Sequence, residues 1–144
     1  MGKTKIKICG LKRPEDIRIV NRLKPDFVGF VFAESKRKID KKQAGKLREA
    51  LEPDIPAVGV FVNEPIQNVT ELCREKIIQI VQLHGDEDAY YIEEIRKNLP
   101  DTPLIKAVRV QSKEQILEAE KLDVDYLLLD TYVQGQYVAA EPVL

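Results

Sequence analysis

Short apolar runs alternate with helical patterns along the whole chain. Runs of strand length begin near Lys5, Phe27, Ala57, Ile78, Leu104 and Tyr126. Each of the first five is followed by a stretch in which apolar residues recur at helical spacing, as at Ile17, Val20 and Leu23. The pattern therefore predicts five strand-helix units followed by a sixth strand.

Several of these helices carry their own start signals. Pro14 suits a first helical position, because its missing N–H has no partner there in any case. Asp40 with Gln43, and Ser112 with Gln115, have the three-residue spacing at which a side chain caps the first turn of a helix. These positions predict where the first, second and fifth helices begin.

The predicted strands are apolar on both faces, as in the runs FVGFVF and AVGVFV. Strands of this kind are typical of a parallel sheet that helices cover. Two architectures fit the alternation, an open doubly wound sheet and a closed (β/α) barrel. No glycine-rich phosphate motif follows the first strand, which argues against the dinucleotide-binding version of the open sheet.

Composition narrows the function classes. The chain has 144 residues, 33% of them charged, and a net charge of −1, so it offers no electrostatic reason to bind nucleic acid or a membrane surface. We see no signal peptide or membrane span, and the two cysteines are far apart, which favours a reducing cytoplasm and free thiols. With one histidine and no grouped cysteines, we expect no metal.

Polar residues stand where the predicted strands end. They are Cys9, the loop from 32 to 37, Asn63 with Glu64, Gln82 with His84, Arg109, and Asp130. A barrel collects all such strand ends at one rim, where its active site lies. An open sheet would gather only those beside the point at which its strand order reverses. The distribution favours the barrel.

Six stretches in order resemble phosphoribosylanthranilate isomerase, a family of tryptophan biosynthesis. They are KIKICG at 5–10, GFVF and SKRKI within 29–39, VGVFVNE at 58–64, VQLHGDE at 81–87, IKAVRV at 105–110, and LLLDT at 127–131. The resemblance implies a TIM (β/α)8-barrel, incomplete here with about six strands and five helices. It also implies an Amadori rearrangement of N-(5-phosphoribosyl)anthranilate to the 1-deoxyribulose ketose phosphate, without a cofactor.

The resemblance assigns roles to three residues. Cys9 matches the family's general base, Asp130 its general acid, and Arg37 the residue that pairs with the anthranilate carboxylate. From the residues alone, a cysteine that ends an apolar strand is more often a buried filler. Likewise, an aspartate is common as a turn cap and an arginine in a basic run is usually a solvated charge.

Two further residues are candidates for substrate binding. Gln82 and His84 alternate with the apolar Val81 and Leu83, so both point the same way, and we expect them to face the mouth of the barrel. Substrate contact and a purely structural role remain equally open for both. Arg109 and Lys106 have opposite strand parity, so at most one of them faces inward.

The resemblance weakens after LLLDTYVQGQY. We treat residues 1–144 as one barrel domain whose residues 138–144, VAAEPVL, form a non-family tail, and whose sixth helix and last two strands are absent. The family's phosphate-binding loops would be absent with them.

Three alternatives follow from this reading. The chain is an active isomerase, or it is an impaired fragment that persists by self-association through unpaired strand edges. An open-sheet receiver module with Asp130 as phosphoacceptor fits least well.

Overall fold

The computed structural model describes residues 4–131, so the predicted tail at 138–144 lies outside the described residues. Six strands alternate with five helices in the order that the sequence predicts. The strands are β1 Lys7–Cys9, β2 Phe27–Val31, β3 Ala57–Phe61, β4 Ile80–Leu83, β5 Leu104–Val110 and β6 Tyr126–Thr131. The helices are α1 Pro14–Leu23, α2 Lys41–Ala50, α3 Ile66–Arg74, α4 Ala89–Asn98 and α5 Lys113–Glu120.

All six strands are parallel and lie side by side in chain order, from β1 to β6. A doubly wound sheet would reverse its strand order partway along, and the described strands contain no such reversal. Each strand is therefore joined to the next by a helix that always crosses in the same direction. This is the order of a (β/α) barrel, and it confirms the preferred architecture.

The predicted helix starts are confirmed. Pro14 is the first residue of α1. The Asp40 carboxylate accepts a hydrogen bond from the Gln43 backbone N–H at 2.8 Å, and Ser112 and Gln115 form a reciprocal capping box. Each cap uses backbone N–H groups that have no partner within the helix itself.

Two strands begin two residues later than the apolar runs suggest. In β1, the N–H of Ile6 donates to the Asp26 carboxylate at 2.7 Å instead of joining the sheet. Before β4, the N–H groups of Ile77 and Ile78 bond to the carbonyl oxygen of Leu72 at the end of α3. The apolar run there completes the helix terminus before it enters the sheet.

The main core lies between the sheet and the helices. Its fully buried members include Phe30, Phe61, Leu83, Ile92 and Ile95. A smaller cluster occupies the opposite face of the sheet, where Val31, Ala33 and Val60 pack with Cys9 and Val62. Among residues 4–131, no helix combines the length and apolar character needed to cross a membrane.

Candidate active site

The face of the sheet opposite the helices is concave. The Lys7 ammonium on β1 donates a hydrogen bond to the Gln82 side-chain oxygen on β4, although two strands lie between them. In a flat sheet these strands would be about 14 Å apart, three spacings of about 4.8 Å. His84, just after β4, likewise contacts Asp130 on β6 across the intervening β5. The sheet therefore curls around these side chains.

Four of these side chains form one continuous chain of hydrogen bonds. Lys7 contacts Gln82, whose amide nitrogen lies 2.9 Å from His84 Nδ1, and His84 Nε2 lies 3.0 Å from Asp130 Oδ2. The other Asp130 oxygen accepts the backbone N–H of Thr131 at 2.8 Å. Gln82 and His84 are only 3% and 4% exposed, so the two central members of this row of hydrogen bonds are shielded from water.

Burial controls the charge of the side chains in this hydrogen-bonded row. It lowers the pKa of His84 below 6.5, although the Asp130 carboxylate opposes the shift and the cations Lys7 and Arg109 add to it. The His84 ring is therefore neutral at neutral pH. Burial also lowers the pKa of Lys7, and attraction to the Cys9 side chain partly offsets that effect.

Cys9 ends β1 on the same concave face. It is paired in register with Gly29 of β2, and a Cβ added at Gly29 would lie 2.6 Å from the Cys9 sulfur. The absence of a side chain at Gly29 therefore provides the space that the thiol occupies. Cys9 is half-buried against the small cluster of Val31 and Val60, and it is a free thiol.

Arg37 lies directly over the end of β1. Its guanidinium packs against Gly10, whose φ of +86° belongs to the left-handed region that favours glycine. Arg37 Nη1 lies 3.4 Å from the carbonyl oxygen of Cys9. The Ser35 hydroxyl accepts the Arg37 backbone N–H at 3.1 Å and so fixes the turn that carries the arginine. The guanidinium and the thiol are thus brought to the same end of the strand.

A second polar cluster ties neighbouring loops together at this rim. The buried Glu87 carboxylate accepts the N–H groups of Asn63 and Gly85 at 2.8 and 2.9 Å, and the Lys106 ammonium at 3.0 Å. Arg109 donates to the carbonyl oxygen of His84 at 3.0 Å. These contacts tie the loop after β4 to the loop after β3 and to the side chains of β5, so we interpret the cluster as a brace that holds the rim.

All five residues singled out from the sequence lie at this end of the sheet: Cys9, Arg37, Gln82, His84 and Asp130. Sequence reasoning missed Gly29, for which the signal was a glycine inside a strand pattern. It also missed Glu87, which nothing in the local sequence distinguishes from a surface acid. Within residues 4–131, no three His, Cys, Asp or Glu side chains are grouped to hold a metal ion.

Comparisons with known proteins agree with this geometry. The model of the N-(5'-phosphoribosyl)anthranilate (PRA) isomerase family matches residues 6–139. The N-(5'-phosphoribosyl)anthranilate isomerase of Lachnoclostridium phytofermentans is 54% identical over 133 residues, which are 92% of this chain and 61% of that protein. The one from Acetivibrio thermocellus is 47% identical, with 97% of this chain and 66% of the relative covered. The chain thus spans less than two thirds of the length of these relatives.

Solved structures give the same result. The crystal structure of phosphoribosyl anthranilate isomerase from Thermotoga maritima superposes with a TM-score of 0.79 at 30% identity, over 97% of this chain and 67% of that one. A second structure of such an isomerase has a TM-score of 0.77 at 32% identity, over 90% of this chain and 66% of that one. That isomerase is in complex with reduced 1-(o-carboxyphenylamino)-1-deoxyribulose 5-phosphate.

Proposed function

The chain belongs to the N-(5'-phosphoribosyl)anthranilate isomerase family, and on that premise we propose that it catalyses the Amadori rearrangement of this aminoaldose to the corresponding ketose phosphate. The observation that carries the proposal is the placing of Cys9 and Asp130 on one concave face, on two different strands, with Arg37 beside Cys9. The reaction needs no cofactor, because it only moves protons and redistributes bonds within one molecule.

The chemistry requires an acid and a base that act on different parts of the sugar. Asp130 gives its proton to the ring oxygen, the bond between that oxygen and C1 breaks, and the nitrogen lone pair forms a C=N⁺ bond. The Cys9 thiolate then removes the proton from C2, and the electrons of that C–H bond produce an enolamine. The enolamine becomes the ketone by moving a proton from the C2 hydroxyl to C1. Positioned acid and base groups typically accelerate such steps about 100- to 10,000-fold each.

Arg37 is the proposed partner of the anthranilate carboxylate. Its planar guanidinium can hold both carboxylate oxygens, and it lies beside the strand that carries the base. The ligand of the related crystal structure, a carboxyphenylamino deoxyribulose phosphate, supports this class of substrate. Contact of Gln82 and His84 with substrate, a cytoplasmic location and self-association stay predictions.

The test is to incubate the purified chain with N-(5-phosphoribosyl)anthranilate and to follow the loss of its anthranilate-type fluorescence. We expect a loss that is proportional to the chain concentration and a ketose product identified by NMR. A chain that is folded by circular dichroism but leaves the substrate to decay at the rate seen without protein would overturn the proposal.

A further inference from the structure

We propose that Lys7, Gln82 and His84 act as positioning residues for Asp130: Lys7 fixes the Gln82 amide, the amide fixes the tautomer of His84, and the ring then aims its Nε2–H at the Asp130 carboxylate. This rests on the proposed function, in which Asp130 is the general acid. It differs from the expectation that Gln82 and His84 touch substrate, because it gives both residues an effect through Asp130.

The first step of the argument concerns the orientation of the Gln82 amide. An ammonium group has hydrogen-bond donors and no acceptor, so the atom of Gln82 that faces Lys7 must be the oxygen. The amide NH₂ group then faces His84 Nδ1 at 2.9 Å. A reversed amide would place its NH₂ group against the ammonium, donor against donor.

The second step concerns the His84 ring. Because the Gln82 NH₂ group donates, Nδ1 must be the acceptor, and the single proton of a neutral imidazole is then on Nε2. Nε2 lies 3.0 Å from Asp130 Oδ2, so this N–H donates to the Asp130 carboxylate. Burial keeps the ring neutral by lowering the pKa of His84, and Lys7 and Arg109 act in the same direction against Asp130. The tautomer is therefore set two hydrogen bonds away, by the charge on Lys7.

The third step concerns the effect of the His84 N–H on the proton donation by Asp130. With the His84 N–H on Oδ2 and the Thr131 N–H on Oδ1, both oxygens of the carboxylate have a donor in place. Negative charge develops on these oxygens as Asp130 gives up its proton. Donors that are already aimed at developing charge stabilise it without reorganisation during the reaction. We therefore expect His84 to accelerate proton donation although it is almost entirely buried.

The arrangement can be measured without turnover. Because His84 is the only histidine of the chain, a long-range ¹H–¹⁵N correlation spectrum of the purified protein reports its state without assignment. We expect the neutral Nε2–H tautomer at pH 7. An Nδ1–H tautomer or a charged ring in the unmodified chain would overturn the proposal.

A substitution at Gln82 sharpens this measurement. In Gln82→Glu both ring nitrogens face carboxylates, so both should carry protons, and we expect the pKa of His84 to rise by about one unit or more. Gln67→Glu, on the exposed surface of α3, adds the same charge away from the ring and should leave His84 unchanged. Identical His84 titrations in the two variants would contradict the coupling.

The effect of His84 on the proton donation by Asp130 is tested by replacing His84 with two amide side chains of different length. In His84→Gln the side-chain NH₂ group reaches the position of Nε2 and can still donate to Asp130, whereas in His84→Asn it reaches only the position of Nδ1. We expect kcat to stay within about fivefold for His84→Gln and to fall by about 10- to 100-fold for His84→Asn, with KM nearly unchanged in both. Equal kcat values in two folded variants would show that the ring acts only as packing.

The outcomes separate the two proposals. If the unmodified chain shows no turnover, the proposed function fails, and the ring tautomer still decides whether Lys7 and Gln82 hold His84 as described. If turnover is present and the tautomer is the opposite one, the isomerase proposal stands and the positioning role is wrong. If either amide variant does not fold, the ¹H–¹⁵N spectrum of Lys7→Met replaces it, because loss of the ammonium should allow both tautomers of His84. A single Nε2–H tautomer in folded Lys7→Met would contradict the role given to Lys7.

Discussion

Gly29→Ala should remove most of the activity while leaving the fold nearly intact. Gly29 lies in the middle of β2 with ordinary extended backbone, so alanine can adopt its conformation. The new Cβ would lie 2.6 Å from the Cys9 sulfur and 3.2 Å from the Cys9 Cα and Cβ atoms. The three atoms nearest to the new Cβ therefore all belong to the residue assigned as the base.

The size of the effect follows from these distances. Atoms of this kind pack at about 3.5 to 4.0 Å, so the sulfur must move by about 1 Å. The sulfur can do so by rotation about one bond, and the contacts with the Cys9 Cα and Cβ atoms at 3.2 Å require β1 to shift by only a few tenths of an ångström. We therefore expect a loss of only about 1 kcal/mol in the free energy of unfolding, the lower end for overpacking. A displacement of 1 Å at a reacting group costs about 100-fold in rate, so turnover should fall by that factor.

The assay is the initial rate of fluorescence loss, combined with urea unfolding of the same samples. Gly59→Ala is the matched control, because its Cβ would lie 2.6 Å from Ile78 Cδ1 and 2.9 Å from Phe61 Cε2, in the core on the other face of the sheet. It should lose at least as much stability and keep its turnover. If Gly29→Ala turns over like the unmodified chain, or Gly59→Ala loses as much activity, the placement of Cys9 is not what limits the rate.

Three further predictions concern Gly10, Cys73 and His84. Gly10→Ala should cost about 1 to 3 kcal/mol of stability, because residue 10 has a left-handed backbone conformation that alanine rarely adopts. Its new Cβ would also displace Arg37, so KM should rise more than kcat falls, and an unchanged KM would contradict this. Burial raises the pKa of Cys73 to about 11, so iodoacetamide mass mapping at pH 8 should show its alkylation slowed about 100-fold relative to the denatured chain, and equal rates would refute the burial. The folded-state pKa of His84 lies below 6.5, so the unfolded chain binds more protons than the folded chain as the pH falls below that value. The free energy of unfolding should then drop by up to about 1.4 kcal/mol per pH unit until the folded-state pKa is reached, and urea unfolding of His84→Gln should lack this drop.

The order of elements could be predicted from the sequence because it depends on local patterns. Apolar runs, Pro14 and the caps at Asp40 and Ser112 act over a few residues, and the structure places the elements accordingly. The late start of β4 could not be read in the same way. It depends on the Leu72 carbonyl oxygen, which accepts the N–H groups of Ile77 and Ile78 where the chain turns from α3 toward the sheet.

The sequence predicts which residues form the site but not the hydrogen bonds that link them across the sheet. Strand parity places Gln82 and His84 on one face, and their 2.9 Å contact agrees with that prediction. The link from Gln82 to Lys7 requires the sheet to curl until β1 approaches β4, and curvature leaves no local signal in the sequence. The space that Gly29 leaves for the Cys9 sulfur depends in the same way on the register between two strands.

The central claim is that Cys9 is the base and Asp130 the acid of one isomerase site. The most direct measurement is kcat for Cys9→Ser and for Asp130→Asn beside the unmodified chain, with circular dichroism to show that each variant is folded. The account predicts that each substitution lowers kcat by about 100-fold or more and leaves KM within a few-fold, because each removes a proton-transfer group and keeps the shape of the site. A folded variant of either kind that turns over at the rate of the unmodified chain would contradict it.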